Sequence, residues 1–304
     1  MSELLKPVLK NMSDPKQKEY QQPHTAAVVP AGLIKNVIDF SNRIKDKILV
    51  IKLSAAIIDN DELLTNFAEN VHLINSCGAR VCIVHDHGSI VSDILQSLGF
   101  DEKIINNTKV ADHKSTQIIE MVVSGYINKL IVSKFCSLGC NAVGISGKDG
   151  NLIQAKKSKL LYKKVSEPDI IDIGFISEPI IVNPEILMNF EENNIIPVIS
   201  PIASDENGRT HLLDVNLTTA IVSSALDADH LILPCEERIL DSKDLTYRDI
   251  DMLQKILNSR SSNPKISNII KAAITAIENS THMVHFVNPK MKDSVLLAVF
   301  QAED

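Results

Sequence analysis

The sequence predicts an α/β protein, a three-layer α/β/α sandwich with a mainly parallel central sheet. Two observations support this prediction. Short runs rich in Val and Ile alternate with longer amphipathic stretches along the chain, and such alternation is typical of parallel sheets covered by helices. The chain also has 304 residues, of which 44% are hydrophobic. That is enough for one large core or for two lobes that share a sheet.

The first predicted element is an amphipathic helix over residues 26–46. Apolar residues recur there at helical spacing, namely Leu33, Val37, Phe40 and Ile44. Because this helix precedes the first predicted strand, it is either an arm that binds a partner or a helix that packs on its own sheet. The sequence does not distinguish the two. Residues 1–25 show weak periodicity, and we expect them to form a flexible tail.

The elements that follow alternate between strands and helices. Apolar and β-branched runs predict core strands at 48–52, 80–85, 141–145, 195–200, 230–234 and 283–287. Helical periodicity predicts helices at 61–77, 89–98, 112–138, 213–226, 246–258 and 265–279. Residues 150–182 differ, because short alternating runs are separated there by Gly, Pro and charged residues, a pattern that predicts small hairpins.

Composition excludes several classes of protein. The formal charge is −7 and no Lys/Arg stripe is present, which argues against nucleic-acid binding. No apolar run approaches the roughly 18–20 residues that span a bilayer, and the polar start of the chain does not resemble a signal peptide. The five scattered cysteines predict reduced thiols in the cytoplasm. Cys136 and Cys140 lack a second pair of ligands, so we expect no metal site.

Seven segments, by their order and spacing, resemble N-acetylglutamate kinases, which have the amino-acid-kinase fold. The resemblance covers about residues 27–300, and SGKDGNLI is its most specific block. The segments are ILVIK (48–52), VHDHGS (84–89), NNTKVAD (106–112), AVGISGKDGNLI (142–153), IIPVISPI (195–202), LILP (231–234) and NPKISNIIKAAI (263–274).

The resemblance implies a function and an organisation. In that family the γ-phosphoryl of ATP, with Mg²⁺, moves onto the side-chain carboxylate of N-acetyl-L-glutamate in arginine biosynthesis. Residues 47–202 would form the acceptor-substrate lobe and residues 203–304 the nucleotide lobe, on one continuous sheet. The chain would be a homo-oligomer, either a dimer or a hexamer joined through the N-terminal helix.

Two lysines match catalytic positions of the family. Lys52 ends the first strand, where it would stabilise the transferred phosphoryl, and Lys265 stands at a helix start, which favours an anion. The other reading of Lys52 is a solvated lysine that caps a strand. Ser54 stands where the family has glycine, and the nucleotide-binding role that the resemblance assigns to it is that of a hydrogen-bond donor.

The acceptor-binding positions are altered. The resemblance assigns substrate contacts to Asp86, His87, Gly88, Lys109 and Asp214. Only Gly88 keeps the glycine of the family. A lysine at 109 retains the charge of the family's arginine but loses its bidentate geometry, and Asp86 adds a negative charge beside two anionic substrates.

Other family groups are absent. Thr218 replaces the aspartate that organises the two lysines, and Asp214 stands about one helical turn before it, so a displaced carboxylate is one route to substitution. Glu236 and Glu237 stand in the nucleotide loop, where they oppose a triphosphate. Ser261 and Ser262 replace the glycines before the second lysine.

These substitutions leave three hypotheses open. The chain is a divergent acetylglutamate kinase, and then it uses ATP with Mg²⁺. Alternatively it is a catalytically inactive pseudoenzyme with a binding or regulatory role, and then it needs no cofactor. The third hypothesis is a related kinase with a different acidic acceptor.

Overall fold

The computed structural model describes residues 30–100, 103–105, 108–110, 113–163, 168–236, 246–247, 249–259 and 263–302. Its elements up to the middle of the chain are α1 (Ala31–Ile44), β1 (Ile48–Leu53), α2 (Ala55–Ile58), α3 (Asp61–Ser76), β2 (Arg80–His85), α4 (Ile90–Ser97), β3 (Lys103–Ile105), β4 (Thr108–Val110), α5 (His113–Glu120), a π-helical segment (Met121–Ile127), α6 (Asn128–Ser137) and β5 (Ala142–Ser146).

The second half begins with a 3₁₀ turn at Asp149–Asn151. It continues with β6 (Ile153–Lys163), β7 (Pro168–Val182), α7 (Glu185–Glu192), β8 (Ile196–Ser200), β9 (Ile202–Ser204), β10 (Thr210–Leu213), α8 (Val215–Ala225), β11 (His230–Pro234), β12 (Thr246–Tyr247), α9 (Ile250–Ser259), α10 (Pro264–Glu278), β13 (Met283–Val287) and α11 (Ser294–Gln301).

The central sheet confirms the predicted α/β architecture. Its order is β12-β13-β11-β1-β2-β8-β5. All neighbours in the sheet pair in parallel except β12, which is antiparallel to β13. Alternate residues of β1 face different cores, because Leu49 and Ile51 join one hydrophobic cluster and Val50 joins the other. The first cluster includes residues of α3, α6 and α11, and the second includes residues of α7, α8 and α10, so helices cover both faces of the sheet.

Helix α1 is divided between two compact units of the chain, residues 1–39 and 40–304. In the first unit, four apolar side chains are at least half exposed, namely Leu33, Ile34, Val37 and Ile38. In the second unit, Phe40 and Ile44 are buried, and the Phe40 ring lies 5.0 Å from that of Phe300. The predicted tail at residues 1–25 lies outside the described residues.

Residues 150–182 correct one prediction. In place of small hairpins, two long strands pair there, β6 antiparallel with β7 from Ile153↔Val182 to Lys163↔Pro168. With β9 and β10 these strands form a closed four-stranded barrel. Closure rests on short pairings, Gln154↔Ser204 between β6 and β9 and two residue pairs between β10 and β7.

A second correction concerns the predicted helix at 246–258. That helix begins at Ile250, whereas Thr246 and Tyr247 pair with β13 at the edge of the sheet. β-Branched and aromatic residues favour strands, and this preference prevails at the sheet edge.

Burial of a carboxyl group on α7 predicts a pH effect on stability. Glu191 is 7% exposed, and its Oε1 has no hydrogen-bond partner among the described residues. Burial raises its pKa to about 7, while the charge of Arg80 opposes this shift. Because the folded pKa lies above the unfolded value, the contribution to stability is present at low pH and is lost as pH rises from about 4.5 through 7.

Between about pH 5 and pH 8, we expect Glu191 to lower the unfolding free energy of the wild type by about 2 kcal/mol. Glu191→Gln should not show this decrease. Urea unfolding at both pH values measures this change. Glu192→Gln is the control, because Glu192 is the exposed next residue of the same helix. Equal pH dependence in wild type and Glu191→Gln contradicts the prediction.

Candidate functional site

The candidate site lies at the carboxyl ends of β1, β2 and β11. These strands are neighbours in the parallel sheet, and their ends therefore meet at one edge. The backbone N–H of Asp86, just after β2, donates to the carbonyl of Leu53 at the end of β1, at 2.8 Å. Ligands of open parallel sheets bind at this edge.

Lys52 is the central group of the site. It is 6% exposed, its Nζ donates to Asn216 Oδ1 at 2.7 Å, and Asp86 Oδ2 lies 3.8 Å from the same nitrogen. Burial lowers the pKa of Lys52, whereas the negative charges of Asp86 and Asp214 oppose that shift. The structure thus shows a buried lysine between a carboxylate and an amide, not a solvated lysine that caps a strand.

The turn after β2 positions Asp86. His85 is fully buried between the Asp86 carbonyl, 2.7 Å from its Nδ1, and the side-chain nitrogen of Asn128, 3.2 Å from its Nε2. Burial lowers the pKa of His85 to about 4, so this imidazole is neutral near pH 7. His85 therefore supports the turn and contributes no charge to the site.

The other residues of this turn have different surroundings. The His87 N–H donates to Asp86 Oδ1 at 2.8 Å, while the His87 ring is half exposed. Gly88 has φ +64°, and a Cβ there would lie 2.5 Å from Asp59 Oδ1. The Asp59 carboxylate accepts the N–H of Ser89 at 2.9 and 3.0 Å. Gly88 is thus required by the shape of the turn.

The start of α8 places Asn216 beside Lys52. Asp214 is the N-cap of this helix, and its Oδ1 accepts the Leu217 N–H at 2.8 Å. Thr218 donates its hydroxyl to the Asp214 carbonyl at 2.7 Å. The amide that contacts Lys52 belongs to Asn216, a residue to which the sequence analysis assigned no role. In the sequence, Asn216 could have been noticed because it stands two residues after Asp214, which caps the helix.

Ser54 carries a polar atom without a partner. The residue is 9% exposed, and its Oγ has no hydrogen-bond partner in the described part of the chain. It precedes α2 and lies two residues after Lys52, at the same edge of the sheet. A buried hydroxyl without a partner costs about 1–3 kcal/mol, and a bound ligand with an acceptor oxygen would remove that cost.

Two further predicted residues, Lys265 and Lys109, lie on other elements. Lys265 is exposed in the first turn of α10, where its N–H and that of Ile266 are capped by Asn263 Oδ1 at 3.1 and 3.4 Å. Lys109 lies on β4, opposite Ile104, and its side chain is outside the described part of the chain.

The predicted nucleotide loop is described only at its start. Cys235 N–H donates to the Val287 carbonyl at 2.8 Å, and Glu236 forms an ion pair with Lys290 at 2.7 Å. Glu237, Ser261 and Ser262 lie outside the described residues. The carboxylate of Glu236 is therefore paired with a lysine next to the site.

No group of three or more His, Cys, Asp or Glu side chains in the described ranges is arranged to hold a metal ion. The donors near Lys52 fit Mg²⁺ only as an ion that arrives on phosphate oxygens, which is how this cation usually binds in kinases. Within the same ranges, no helix is both long and apolar enough to span a membrane.

Residues 47–288 match the amino acid kinase family. The acetylglutamate kinase of Archaeoglobus fulgidus is 32% identical, over 84% of this chain and 90% of that protein. The acetylglutamate kinase of Syntrophobacter fumaroxidans is 33% identical, over 89% and 92%, and that of Marinobacter nauticus is 29% identical, over 90% and 96%.

Solved structures support the same fold. The N-acetylglutamate synthase of Neisseria gonorrhoeae, complexed with coenzyme A and N-acetyl-glutamate, superposes with a TM-score of 0.72 at 17% identity. The alignment covers 90% of this chain but only 61% of the synthase. The carbamate kinase of Giardia lamblia bound to AMP-PNP gives a TM-score of 0.59 at 15% identity, over 82% and 94%. The chain belongs to the amino acid kinase family, as one of its acetylglutamate kinase-like members.

Proposed function

We propose that this protein transfers the γ-phosphoryl of ATP to the side-chain carboxylate of N-acetyl-L-glutamate, the acetylglutamate kinase step of arginine biosynthesis. The observation that carries the proposal is Lys52, a buried lysine held by Asn216 at the carboxyl edge of the sheet. Phosphoryl transfer depends mainly on positioning and on neutralising the negative charge of the phosphoryl oxygens. A fixed ammonium positions the phosphoryl group and neutralises its negative charge.

The other predicted residues take roles around this lysine. Ser54 donates its hydroxyl to a phosphate oxygen, which would satisfy its unpartnered Oγ. Lys265 and the N-terminus of α10 attract the phosphates of the nucleotide. Lys109 neutralises the α-carboxylate of the acceptor, whose other contacts come from Asp214 and from the turn Asp86–Gly88.

Further proposals accompany this one. We assign the acceptor to residues 47–202 and the nucleotide to residues 203–304, and we place the reaction in the cytoplasm. Mg²⁺ accompanies ATP and screens the charge of its phosphates. We also propose that the protein is a homo-oligomer, a dimer or a hexamer that uses the exposed apolar side chains of α1.

We expect slow turnover, because Asp86 repels both anionic substrates. Two like charges about 4 Å apart near a surface cost about 1–4 kcal/mol. A single missing donor at a reacting oxygen lowers rates by about 10²–10³, and the effects of several changes are not additive.

Trapping the acyl phosphate with hydroxylamine tests the proposal. Purified protein with MgATP and N-acetyl-L-glutamate should form the free hydroxamate of N-acetylglutamate, separated from the protein, and reactions without acceptor should not. A panel of other acidic acceptors tests the third hypothesis. If N-acetyl-L-glutamate forms no hydroxamate, acetylglutamate kinase activity is excluded, and if no member of the panel forms one, the third hypothesis is excluded as well.

One observation favours a second candidate function, a catalytically inactive protein with a binding or regulatory role. Asp86 lies 3.8 Å from Lys52 and partly neutralises the charge that a phosphoryl group requires. This candidate predicts a stable oligomer that does not bind ATP, which sedimentation and calorimetry together would detect.

A further inference from the structure

A protein carboxylate lies beside the lysine of the site. Asp86 Oδ1 accepts the His87 N–H at 2.8 Å, while Oδ2 lies 3.8 Å from Lys52 Nζ. The Asp86 side chain is 17% exposed, so solvent and small solutes reach it. A carboxylate is the acceptor from which an acyl phosphate forms, and aspartate is known to serve this role in phosphotransfer proteins.

The groups around Asp86 suit a bound phosphoryl group. Lys52 presents a buried ammonium, and Asn216 fixes it in place at 2.7 Å. Ser54 contributes a buried hydroxyl that has no partner in the described part of the chain. The ammonium and the hydroxyl belong to one segment, and together they can receive two oxygens of a phosphoryl group attached to Asp86.

We propose that Asp86 is an internal phosphoryl acceptor, so that the protein phosphorylates itself on this side chain. ATP as the donor rests on the proposed function. The Asp86 Oδ2 atom attacks the γ-phosphorus, the new O–P bond forms, and the bond between that phosphorus and the β–γ bridging oxygen breaks. ADP carries away the bonding electrons, and no proton moves because the attacking carboxylate is ionised.

The position of Asp86 favours an internal acceptor over an external one. An external acceptor must bring its own carboxylate to Lys52 against the charge of Asp86. The Asp86 carboxylate is already there, and an internal reaction needs no binding of the acceptor.

Protein-bound phosphate measures the reaction. The protein is incubated with Mg²⁺ and either radiolabelled ATP or labelled acetyl phosphate, a small donor that needs no nucleotide site. We expect up to one hydroxylamine-labile phosphoryl group per chain with either donor. Borohydride reduction followed by peptide mass spectrometry should locate it at Asp86.

Variants test the assignment. The amount of protein-bound label should be at least about tenfold lower in Asp86→Asn than in the wild type. Ser54→Ala should slow labelling several-fold. Asp61→Asn is the matched control, because Asp61 is exposed and pairs with Lys134 instead of Lys52. Its labelling should equal that of the wild type. Thermal unfolding confirms that each variant is folded.

The outcomes separate this inference from the proposed function. If acetyl phosphate labels the protein and ATP does not, the result supports Asp86 as the phosphoryl acceptor and excludes ATP as the donor. Hydroxamate formed from N-acetyl-L-glutamate without labelled Asp86 supports the proposed function and overturns the inference. Labelling by neither donor, or equal labelling in folded Asp86→Asn, also overturns it.

Discussion

Replacing Lys52 by methionine is expected to lower the rate of phosphoryl transfer at least about a hundredfold, because its buried ammonium supplies the positive charge that the transferred phosphoryl group requires. Lys52 is buried, and only its ammonium faces Asp86 and Asn216. Methionine keeps much of the length and apolar surface of the side chain but removes the charge. The loss corresponds to about 3 kcal/mol of transition-state stabilisation.

The measurement is the initial rate of hydroxamate formation with MgATP and N-acetyl-L-glutamate. Lys47→Met is the matched control, since Lys47 stands before the opposite end of β1 and forms an ion pair with Asp229 at 2.7 Å. That pair is partly exposed and should contribute about 1 kcal/mol or less to stability. Rates of Lys52→Met within a few-fold of the wild type contradict the assigned role.

Replacing Gly144 by alanine is expected to destabilise the fold by about 3 kcal/mol or more. A Cβ at this position of β5 would lie 1.7 Å from Asn128 Oδ1 and 2.7 Å from Lys129 Nζ. Asn128 cannot move away cheaply, because its amide nitrogen donates to the Val198 carbonyl at 2.9 Å and lies 3.2 Å from His85. The substitution combines overpacking with the loss of buried hydrogen bonds.

Urea unfolding of Gly144→Ala at pH 7 measures this effect. Gly125→Ala is the control for the same chemical change. Apart from its chain neighbours and the backbone of its own helix, no described atom lies within 4 Å of a Cβ at that position of the π-helical segment. Its unfolding free energy should be the same as that of the wild type or higher by up to about 1 kcal/mol. Equal midpoints for the two variants contradict the packing described for Gly144.

The central elements could be predicted from the sequence because each buries a regular apolar pattern. The strand at 80–85 and the strand at 283–287 have the bounds that their apolar runs predict. Periodicity was less informative elsewhere. The barrel strands β9 and β10 have three and four residues, too few to show a period, and the short helix α11 was not predicted.

The site was predictable only in part, because its key contact is long-range. Lys52 was identified because it matches the strand-terminal lysine of the family that the sequence resembles. Its partner Asn216 lies 164 residues further along the chain, and no local pattern links the two. Asp86 was predicted to oppose anionic substrates, and only the adjacency of β1 and β2 shows that its carboxylate faces Lys52.

Isothermal titration calorimetry with MgATP is the most direct test of the claim that this edge of the sheet is a phosphotransfer site. The titration is run with and without N-acetyl-L-glutamate, for the wild type and Lys52→Met. We predict that the wild type binds MgATP, and that binding strengthens when the acceptor is present. No detectable heat at millimolar nucleotide, with or without the acceptor, would contradict the account.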